Sequence, residues 1–508
     1  MDAEVIVIGA GIGGLVTAAQ LAAGGIDVLV LEKYLIPGGS AGYFDREVPE
    51  GHYRFDVGAS MIYGFGTEGT TNLLTRALAA VDEHLETIPD PVQISYHLPR
   101  GLNPRVHRDY KRFIEELSRY FPEEKEGIRA FYDEAWQVFN CLNAIELKSL
   151  EEIRYLTRVF FQNPVACLGL ARYLPVNVGS VARKYLKNPD LLKFIDMECY
   201  CWSVVPADQT PMINAGMVWA DRHYGGINYP QGGVGRIGEA LTRGLTKKGG
   251  RIRYGTRVTQ VLIERGRAVG VRLATGEVLK AKKIISNATR WDTFGQMIPE
   301  ANIPATEIRW RQRYKPSPSF LSLHLGVKRA VLAQEVDMHH VVLEDWQRLT
   351  EEQGTIFVSI PTILDPTIAP PGHHIIHTFT PSSLEHWQGL NPTDYAQKKA
   401  QDAHRLIGRL SRIWPGLAEA ITFMEVGTPR THRRFLGRMG GTYGPIPAGI
   451  PLGLLGTPFN RTAIKGLYCV GDSTFPGQGL NAVAFSGIAC AHRVAVDLGI
   501  TSGIPLRT

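Results

Sequence analysis

Three glycines and one acid raise the first chemical question. Gly9, Gly11 and Gly14 meet the pattern G-x-G-x-x-G, and Glu32 follows the glycines by about twenty residues. In such a loop the first glycine permits a tight turn, the second lets a pyrophosphate approach the backbone, and the third allows close packing of a helix on a strand. The helix N-terminus adds unpaired N–H donors and partial positive charge. An acid at Glu32 can accept both hydroxyls of a ribose. The expected chemistry is recognition of an adenosine diphosphate with a bare ribose, which disfavours NADP and leaves NAD and FAD.

The same pattern recurs at Gly64-Gly66-Gly69 and Gly233-Gly235-Gly238, so the flanking elements have to choose. The first copy follows Val5-Ile6-Val7-Ile8, a β-branched run that reads as a strand buried on both faces of a parallel sheet. It opens a helix in which Leu15, Ala18, Ala19 and Ala22 recur at helical spacing, and a second apolar strand, Val28 to Leu31, closes on Glu32. Neither other copy has that setting. The third follows Asn228-Tyr229-Pro230-Gln231, where proline argues against a central strand, and both are read as turn glycines.

Near the other end, Leu467 to Val470 predicts a buried strand, with Gly471-Asp472 at its carboxyl end and a long helix opening over Gly479 to Ala482. An aspartate at a strand end can bind a polyol chain, while a helix N-terminus stabilises negative charge developing on a ring. A ribityl chain and a reduced isoalloxazine need both. Flavin therefore outranks nicotinamide.

With 508 residues, 44% hydrophobic and 20% charged, the chain is expected to form two or three subdomains. Its net charge of +6 is spread along the sequence, which gives nucleic acid no concentrated basic arm. The cluster Arg430 to Arg438 suits anionic lipid, cofactor phosphate or a solvated loop. Cys141, Cys167, Cys199, Cys201, Cys469 and Cys490 form no C-x-x-C pair and read as reduced core thiols. His373, His374 and His377 cannot converge on one strand face, so no metal is expected. No G-x-S-x-G elbow supports hydrolase chemistry. The first strand begins almost at the N-terminus, which predicts an intracellular protein without a signal or transit peptide. No window of ~20 unbroken apolar residues predicts a spanning helix.

Helical periodicity runs over Thr70 to Glu86 and Asp109 to Phe121, and a helix-rich insert continues to about Val218. A second α/β-like segment begins near Gly225, with a helix over Ile237 to Leu245 and strands over Ile252 to Tyr254, Val258 to Ile263, Val269 to Leu273 and Lys282 to Ala288. Alternating runs from about Phe320 to Thr380 suggest an antiparallel sheet. The expected fold class is α/β, a Rossmann-like FAD-binding domain of the glutathione-reductase and amine-oxidase type, discontinuous in sequence, beside a substrate domain of mixed antiparallel sheet and helices. The expected boundaries are 1–70, 225–295 and 455–508 for the FAD-binding domain, 90–224 for the insert with a membrane-contact region, and 296–454 for the substrate domain.

The N-terminal fingerprint, "EKYLIPGGSAGYF", "YRFDVGASMIYGFGTEGTTNLL" and "YCVGD" together resemble the carotenoid desaturase and isomerase group of flavoproteins. More narrowly, "QTPMINAGMVWADRHYGGINYPQGGVG", "IISNATRWDTFG", "FLSLHLGVK", "SIPTILDPTIAP" and "EVGTPRTHRRFLGRMGGTYGPIP" are similar to the carotenoid (prolycopene) isomerase family. The likeness covers nearly the whole chain. Desaturases usually read G-G-R where this chain has Gly38-Gly39-Ser40, and loss of an Arg–phosphate contact leaves a pyrophosphate more dependent on backbone donors. A second departure is Arg46 to Asp56, slightly longer than the family's turn.

The resemblance implies an FAD-dependent carotenoid cis–trans isomerase acting on prolycopene with reduced flavin, redox-neutral overall and supplied with electrons from outside. The rivals on the same fold are a desaturase or polyene saturase, and a carrier that has lost its flavin. The resemblance also assigns cofactor contacts to Gly9, Gly11, Gly13, Gly14, Glu32, Lys33 and Val258 at the adenosine end, and to Gly39 and Ser40 near phosphate. Ser60 and Gly471 join them, Asp472 holds ribityl, and Asn481 with Ala482 faces the ring. Glu425, Asp56 and His432 are the acid or base candidates, with Glu425 expected as a buried acid of raised pKa beside an apolar ligand, or else paired with Arg430 or Arg433. Finally, Arg154 to Pro175 sets Phe160, Phe161, Val165, Leu168 and Leu170 among arginines, which suits either a peripheral membrane contact or a buried lid helix.

Overall fold

The computed structural model describes residues 1–508 except 59, 67, 68, 70, 334, 443–455 and 501–508. The close of the motif that begins at Glu425, residues 443–447, lies outside the described residues. Two seven-stranded sheets organise the chain. The first runs in the order Val258–Glu264, Arg267–Leu273, Val278–Ser286, Ala3–Ile8, Val28–Leu31, Arg251–Arg253, with Leu467–Cys469 also paired to Val278–Ser286. Ala3–Ile8 is parallel to both neighbours, which carries its glycine loop to the same edge as the ends of Val28–Leu31 and Leu467–Cys469.

The unbroken β-branched run explains why this strand is central. Val5 and Val7 enter the core that holds Leu15, Ala18 and Val494, whereas Ile6 and Ile8 enter the core on the opposite face with Leu29, Leu31 and Ile284. Alternation with both faces covered is what a parallel sheet requires. The helices Ile12–Ala23 and Leu480–Asp497 pack together on the first of those faces.

The second sheet runs in the order Ile421–Gly427, Ser319–Lys328, His373–Ser382, Ile356–Ser359, His339–Val342, Val92–His97, Arg105–His107. Its first five strands are antiparallel, as the alternating runs predict. Val92–His97 and Arg105–His107 come from within the expected helical insert, 90–224, and complete the sheet at its far edge.

Three local expectations are corrected. The periodic run from Thr70 forms a helix only over Leu73–Ala79, because the chain turns through Asp82 in the left-handed region (φ 55°) and then pairs Thr87–Pro89 with Asn228–Pro230. Gly238 is no turn residue: it sits inside the helix Arg236–Lys247, where a Cβ would come within 2.9 Å of Gly38 Cα. Close helix packing, the third role in the fingerprint, is thus reproduced in the third copy, though its strand is a short antiparallel one. The segment from Arg154 forms two helices, Ile153–Gln162 and Pro164–Tyr173, parted at Asn163–Pro164 because a proline starts the second.

A cofactor cleft between the two sheets

Loops from the carboxyl ends of the parallel strands meet at a cleft of about 1290 Å³. The turn after Ala3–Ile8 places Gly9 at φ 96°. Gly14 is held so close beneath it that a Cβ would lie 2.4 Å from the Gly9 carbonyl oxygen. Gly11 precedes the helix Ile12–Ala23, whose start has no side-chain cap and no acid in its first turn. Its N–H donors and positive dipole end are left for a ligand. Gly13 faces Gly471, itself at φ 103°, with only 3.2 Å between a Cβ at Gly13 and the Gly471 Cα. The loops after the first and last parallel strands therefore approach closely at Gly13 and Gly471.

Glu32 is buried and bound on both oxygens, Oε2 accepting from the Ala10 N–H and Oε1 from the Tyr34 N–H, each at 2.7 Å. Each carboxylate oxygen has lone pairs to spare, so two ribose hydroxyls can still be accepted. Lys33, Gly39, Ser40 and Val258 join Gly9, Gly11 and Glu32 in lining the cleft. Burial lowers the Lys33 pKa, and its ammonium donates to the Arg434 carbonyl at 3.4 Å. Gly38 and Gly39 adopt φ 105° and 59°, which turns the Gly-Gly-Ser loop back toward Gly11.

Ser60, Gly13, Gly14, Gly471, Asp472, Asn481 and Ala482 do not line this cleft. Asp472 stands one residue behind its wall, ion-paired to Arg438, which does line it. Asn481 opens the helix Leu480–Asp497 and donates from Nδ2 to Asp221 Oδ2 at 3.3 Å. Ser60 donates instead to Asp56 at 2.7 Å.

Of the proposed acids and bases, Asp56 is taken out of the cleft by its own partners. It is buried and accepts from Ser60 Oγ, the Tyr229 hydroxyl (2.9 Å) and the Val234 N–H (2.9 Å). Burial raises its pKa, but the group ties the hairpin Tyr43–Val48/Gly51–Asp56 to the turn before Arg236–Lys247. Glu425 is corrected as well. It lines the cleft, half exposed, and both oxygens are taken by Arg46, not by Arg430 or Arg433. His432 lines the cleft on the helix Pro429–Leu436, and burial pushes its pKa down to about 4.

Strand register shows what residue spacing alone did not. His377, His324 and Glu425 stand side by side across three strands, with the His324 and His377 rings stacked at 4.3 Å between centroids. Phe44, Phe55 and Phe379 pack against them. Burial depresses His324 and takes His377 down to about 3, so these imidazoles are neutral at physiological pH. Asn287 is the other residue missed. It ends the strand Val278–Ser286 and lies against Gly9, Gly11, Gly13, Gly14 and Gly471 at once. A polar residue after an apolar strand was its only signal. No group of histidines, cysteines and acids among the described residues could hold a metal.

The glycine cradle, the uncapped helix and the ribose acid fit an adenosine diphosphate cofactor. The family of flavin-containing amine oxidoreductases matches residues 12–495. Prolycopene isomerase 1 of an Oncidium hybrid cultivar, described as chloroplastic, is 57% identical over 99% of this chain and 85% of its own length. Its Arabidopsis thaliana counterpart is 58% identical over 98% of this chain and 83% of its own. The chain belongs to the prolycopene isomerase family, within the flavin-containing amine oxidoreductases. The fold is shared beyond the family: cyclohexylamine oxidase from Brevibacterium oxydans superposes with a TM-score of 0.62 at 15% identity, over 98% of this chain and 100% of that one. Membership in the family implies a flavin cofactor.

Proposed function

We propose that the chain is an FAD-dependent carotenoid cis–trans isomerase, converting poly-cis lycopene (prolycopene) to the all-trans form with flavin in the reduced state. The observation that carries this reading is identity above one half to prolycopene isomerases along 99% of the chain, on a structure in which Gly9, Gly11 and Glu32 line the cleft and Gly14 packs beneath Gly9. Rotation about a conjugated double bond requires its bond order to fall for a moment. Reduced flavin, when bound, would supply the electron density that allows this, with no net oxidation.

The protein's residues bind, orient and shield. Gly9 makes the turn, Gly11, Gly13 and Gly14 would leave backbone N–H groups at the helix start for the diphosphate, and Glu32 would take the ribose. Asp472, ion-paired to Arg438, would hold the ribityl chain, and the start of Leu480–Asp497, with Asn481 and Ala482, would favour negative charge on the ring. The neutral wall of His324, His377, Phe44 and Phe55 keeps water from the region beside it. Among the proposed acids and bases His432 is the one left to move a proton in the cleft, since Arg46 holds both oxygens of Glu425.

The substrate is insoluble in water, so it must arrive from lipid. Ile153–Gln162 and Pro164–Tyr173 offer a peripheral contact: Ile153, Phe161, Val165 and Leu168 are each more than half exposed, and Arg154, Arg158 and Arg172 lie among them on the surface. No described helix is long and apolar enough to cross a membrane. Electrons for the flavin come from an external donor. The test is anaerobic incubation of the holoprotein with prolycopene, followed by chromatography. All-trans product is expected with reduced flavin and none with oxidised flavin. A desaturated product would overturn the reading.

A further inference from the structure

We infer that Tyr34 and Phe435 form an aromatic clasp for the adenine base, with Phe435 brought to the cleft by the helix Pro429–Leu436 from the far end of the chain. This names what recognises the nucleotide end of the cofactor, and it rests on the proposed function for that cofactor's identity.

Tyr34 follows Glu32 by two residues, and the carboxylate that can take the ribose also accepts from the Tyr34 N–H at 2.7 Å. In an adenosine the base is carried on that same ribose, so it has to lie beside the residues that neighbour Glu32. There the cleft is lined by Lys33, Tyr34, Phe435 and Leu436. The Tyr34 and Phe435 rings meet edge to face, with centroids 5.9 Å apart and planes at 82°. Two rings at right angles make a corner, in which a flat base can stack on one face and meet the edge of the other.

Both rings line the cleft and are open to it, Tyr34 being 41% and Phe435 44% exposed. Phe435 is not what seats its helix. Pro429 and His432 are the buried residues of Pro429–Leu436, and Thr428 with Thr431 forms a capping box at its start. The far end is fixed by backbone: Lys33 Nζ donates to the Arg434 carbonyl at 3.4 Å, and Gly437, at φ 65°, passes so close that a Cβ there would collide with Lys33 Nζ. The helix is thus held over residues 33 and 34 without the help of the Phe435 side chain, which leaves that ring for a ligand. The Arg434 guanidinium lies over the Phe435 ring at 5.3 Å and steadies it. The basic cluster Arg430 to Arg438 belongs in part to the same cleft, since Arg433, Arg434 and Arg438 line it.

Stacking on an aromatic ring is available to every base, but its strength differs from base to base, and a purine offers more face than a pyrimidine. A clasp of this kind therefore shows itself as a preference between nucleotides that share ribose and diphosphate.

The test is equilibrium binding of ADP and of CDP to flavin-free, full-length wild type, Tyr34→Ala and Phe435→Ala, beside melts of the same proteins without nucleotide. Wild type is expected to hold ADP about fivefold or more tighter than CDP, and each variant to lose about tenfold in ADP affinity and less in CDP, so that the ratio moves toward one. Melting without nucleotide should stay the same, because neither ring is buried. An unchanged ratio in either variant overturns the clasp, whatever happens to overall affinity, and so does equal binding of the two nucleotides by wild type. Should Phe435→Ala fail to fold, Phe435→Leu, which keeps bulk and removes the ring, is read by the same criterion. A wild type that binds neither nucleotide would bring down the proposed cofactor, and the clasp with it.

Discussion

Arg46 and Glu425, 379 residues apart, join the two halves of the cleft: Arg46 Nε donates to Glu425 Oε2 at 2.7 Å and Nη2 to Oε1 at 2.8 Å. The arginine stands on the hairpin strand Tyr43–Val48, which pairs with Gly51–Asp56, and the acid on an edge strand of the second sheet. A guanidinium fork fits a carboxylate on both oxygens, which leaves Glu425 little freedom to reach a substrate.

Glu425→Gln is therefore expected to retain turnover within tenfold of wild type. The pair is 40% and 37% exposed, so its loss should change stability by no more than about 1 kcal/mol. Product formation and thermal melts of the holoprotein check both. A loss of a hundredfold or more would restore Glu425 as the working acid.

Gly11→Ala and Gly14→Ala should fail in different ways. A Cβ at Gly11 meets Asn287 Nδ2 at 2.6 Å, the end of a side chain that can swing, so the fold survives while the approach of diphosphate is blocked. At Gly14 the obstacle is the Gly9 carbonyl at 2.4 Å, which is backbone. Overpacking there should cost about 1–3 kcal/mol or more. Circular dichroism melts beside flavin content separate the cases, and equal melting of both variants would count against the packing role of Gly14.

How legible was all this? The adenosine end could be read because Gly9, Gly11, Gly14 and Glu32 are tied to one strand–helix–strand unit, where local pattern and tertiary role coincide. Asn287 was hidden because one polar side chain after a strand is common, and only the meeting of two glycine loops gives it meaning. The His324–His377 stack depends on the register between Ser319–Lys328 and His373–Ser382, which no single strand encodes. The partners of Glu425 and Asp472 were misjudged or unseen for a like reason. Arg46 and Arg438 reach them across the fold, whereas a sequence reading favours charges close by.

Asp472→Ala should weaken flavin binding by about 1.5–3 kcal/mol, the worth of hydrogen bonds to a charged group, or roughly ten- to a hundredfold in Kd. Arg438 is ion-paired to Asp472 and, on the proposed reading, competes with the ribityl chain for it, so Arg438→Ala should not cost as much. Fluorescence titration of apoprotein with FAD gives both constants. Unchanged affinity in Asp472→Ala would move the ribityl contact elsewhere.

Asp90 supplies a pH-dependent prediction. Burial raises its carboxyl to about 7, and Oδ2 has no hydrogen-bond partner. His339, 3.9 Å away, is itself depressed to about 3 by burial, so the contact is not an ion pair at neutral pH. A raised carboxyl pKa means that between about pH 4 and pH 7 the folded state holds a proton the unfolded state has lost, so stability falls as pH rises through that window. Asp90→Asn keeps the acceptor for the Val92 N–H and removes the titration. It should stabilise the protein by about 1–3 kcal/mol at pH 8 and by much less at pH 5, read from melts at both values. An equal effect at both would show that Asp90 does not titrate in this range.

The last expectation concerns how an insoluble polyene leaves the bilayer. Phe161 is 77% exposed, Val165 82% and Leu168 62%, while Tyr155, Val159, Ala166 and Tyr173 on the same two helices are buried. The inward faces are thus packed against the protein, and the outward apolar row is left facing the surface. Leu170 packs partly inward and does not belong to that row. Arginines at 154, 158 and 172 can keep their stems along the apolar row with their charged ends at lipid headgroups. Peripheral binding to anionic vesicles is expected, weaker at high salt because the arginine contribution is screened. Phe160→Ser with Phe161→Ser should reduce co-sedimentation and leave flavin content unchanged, since no residue of the helix pair lines the cofactor cleft. Equal pelleting of wild type and double variant would remove this segment from the membrane contact.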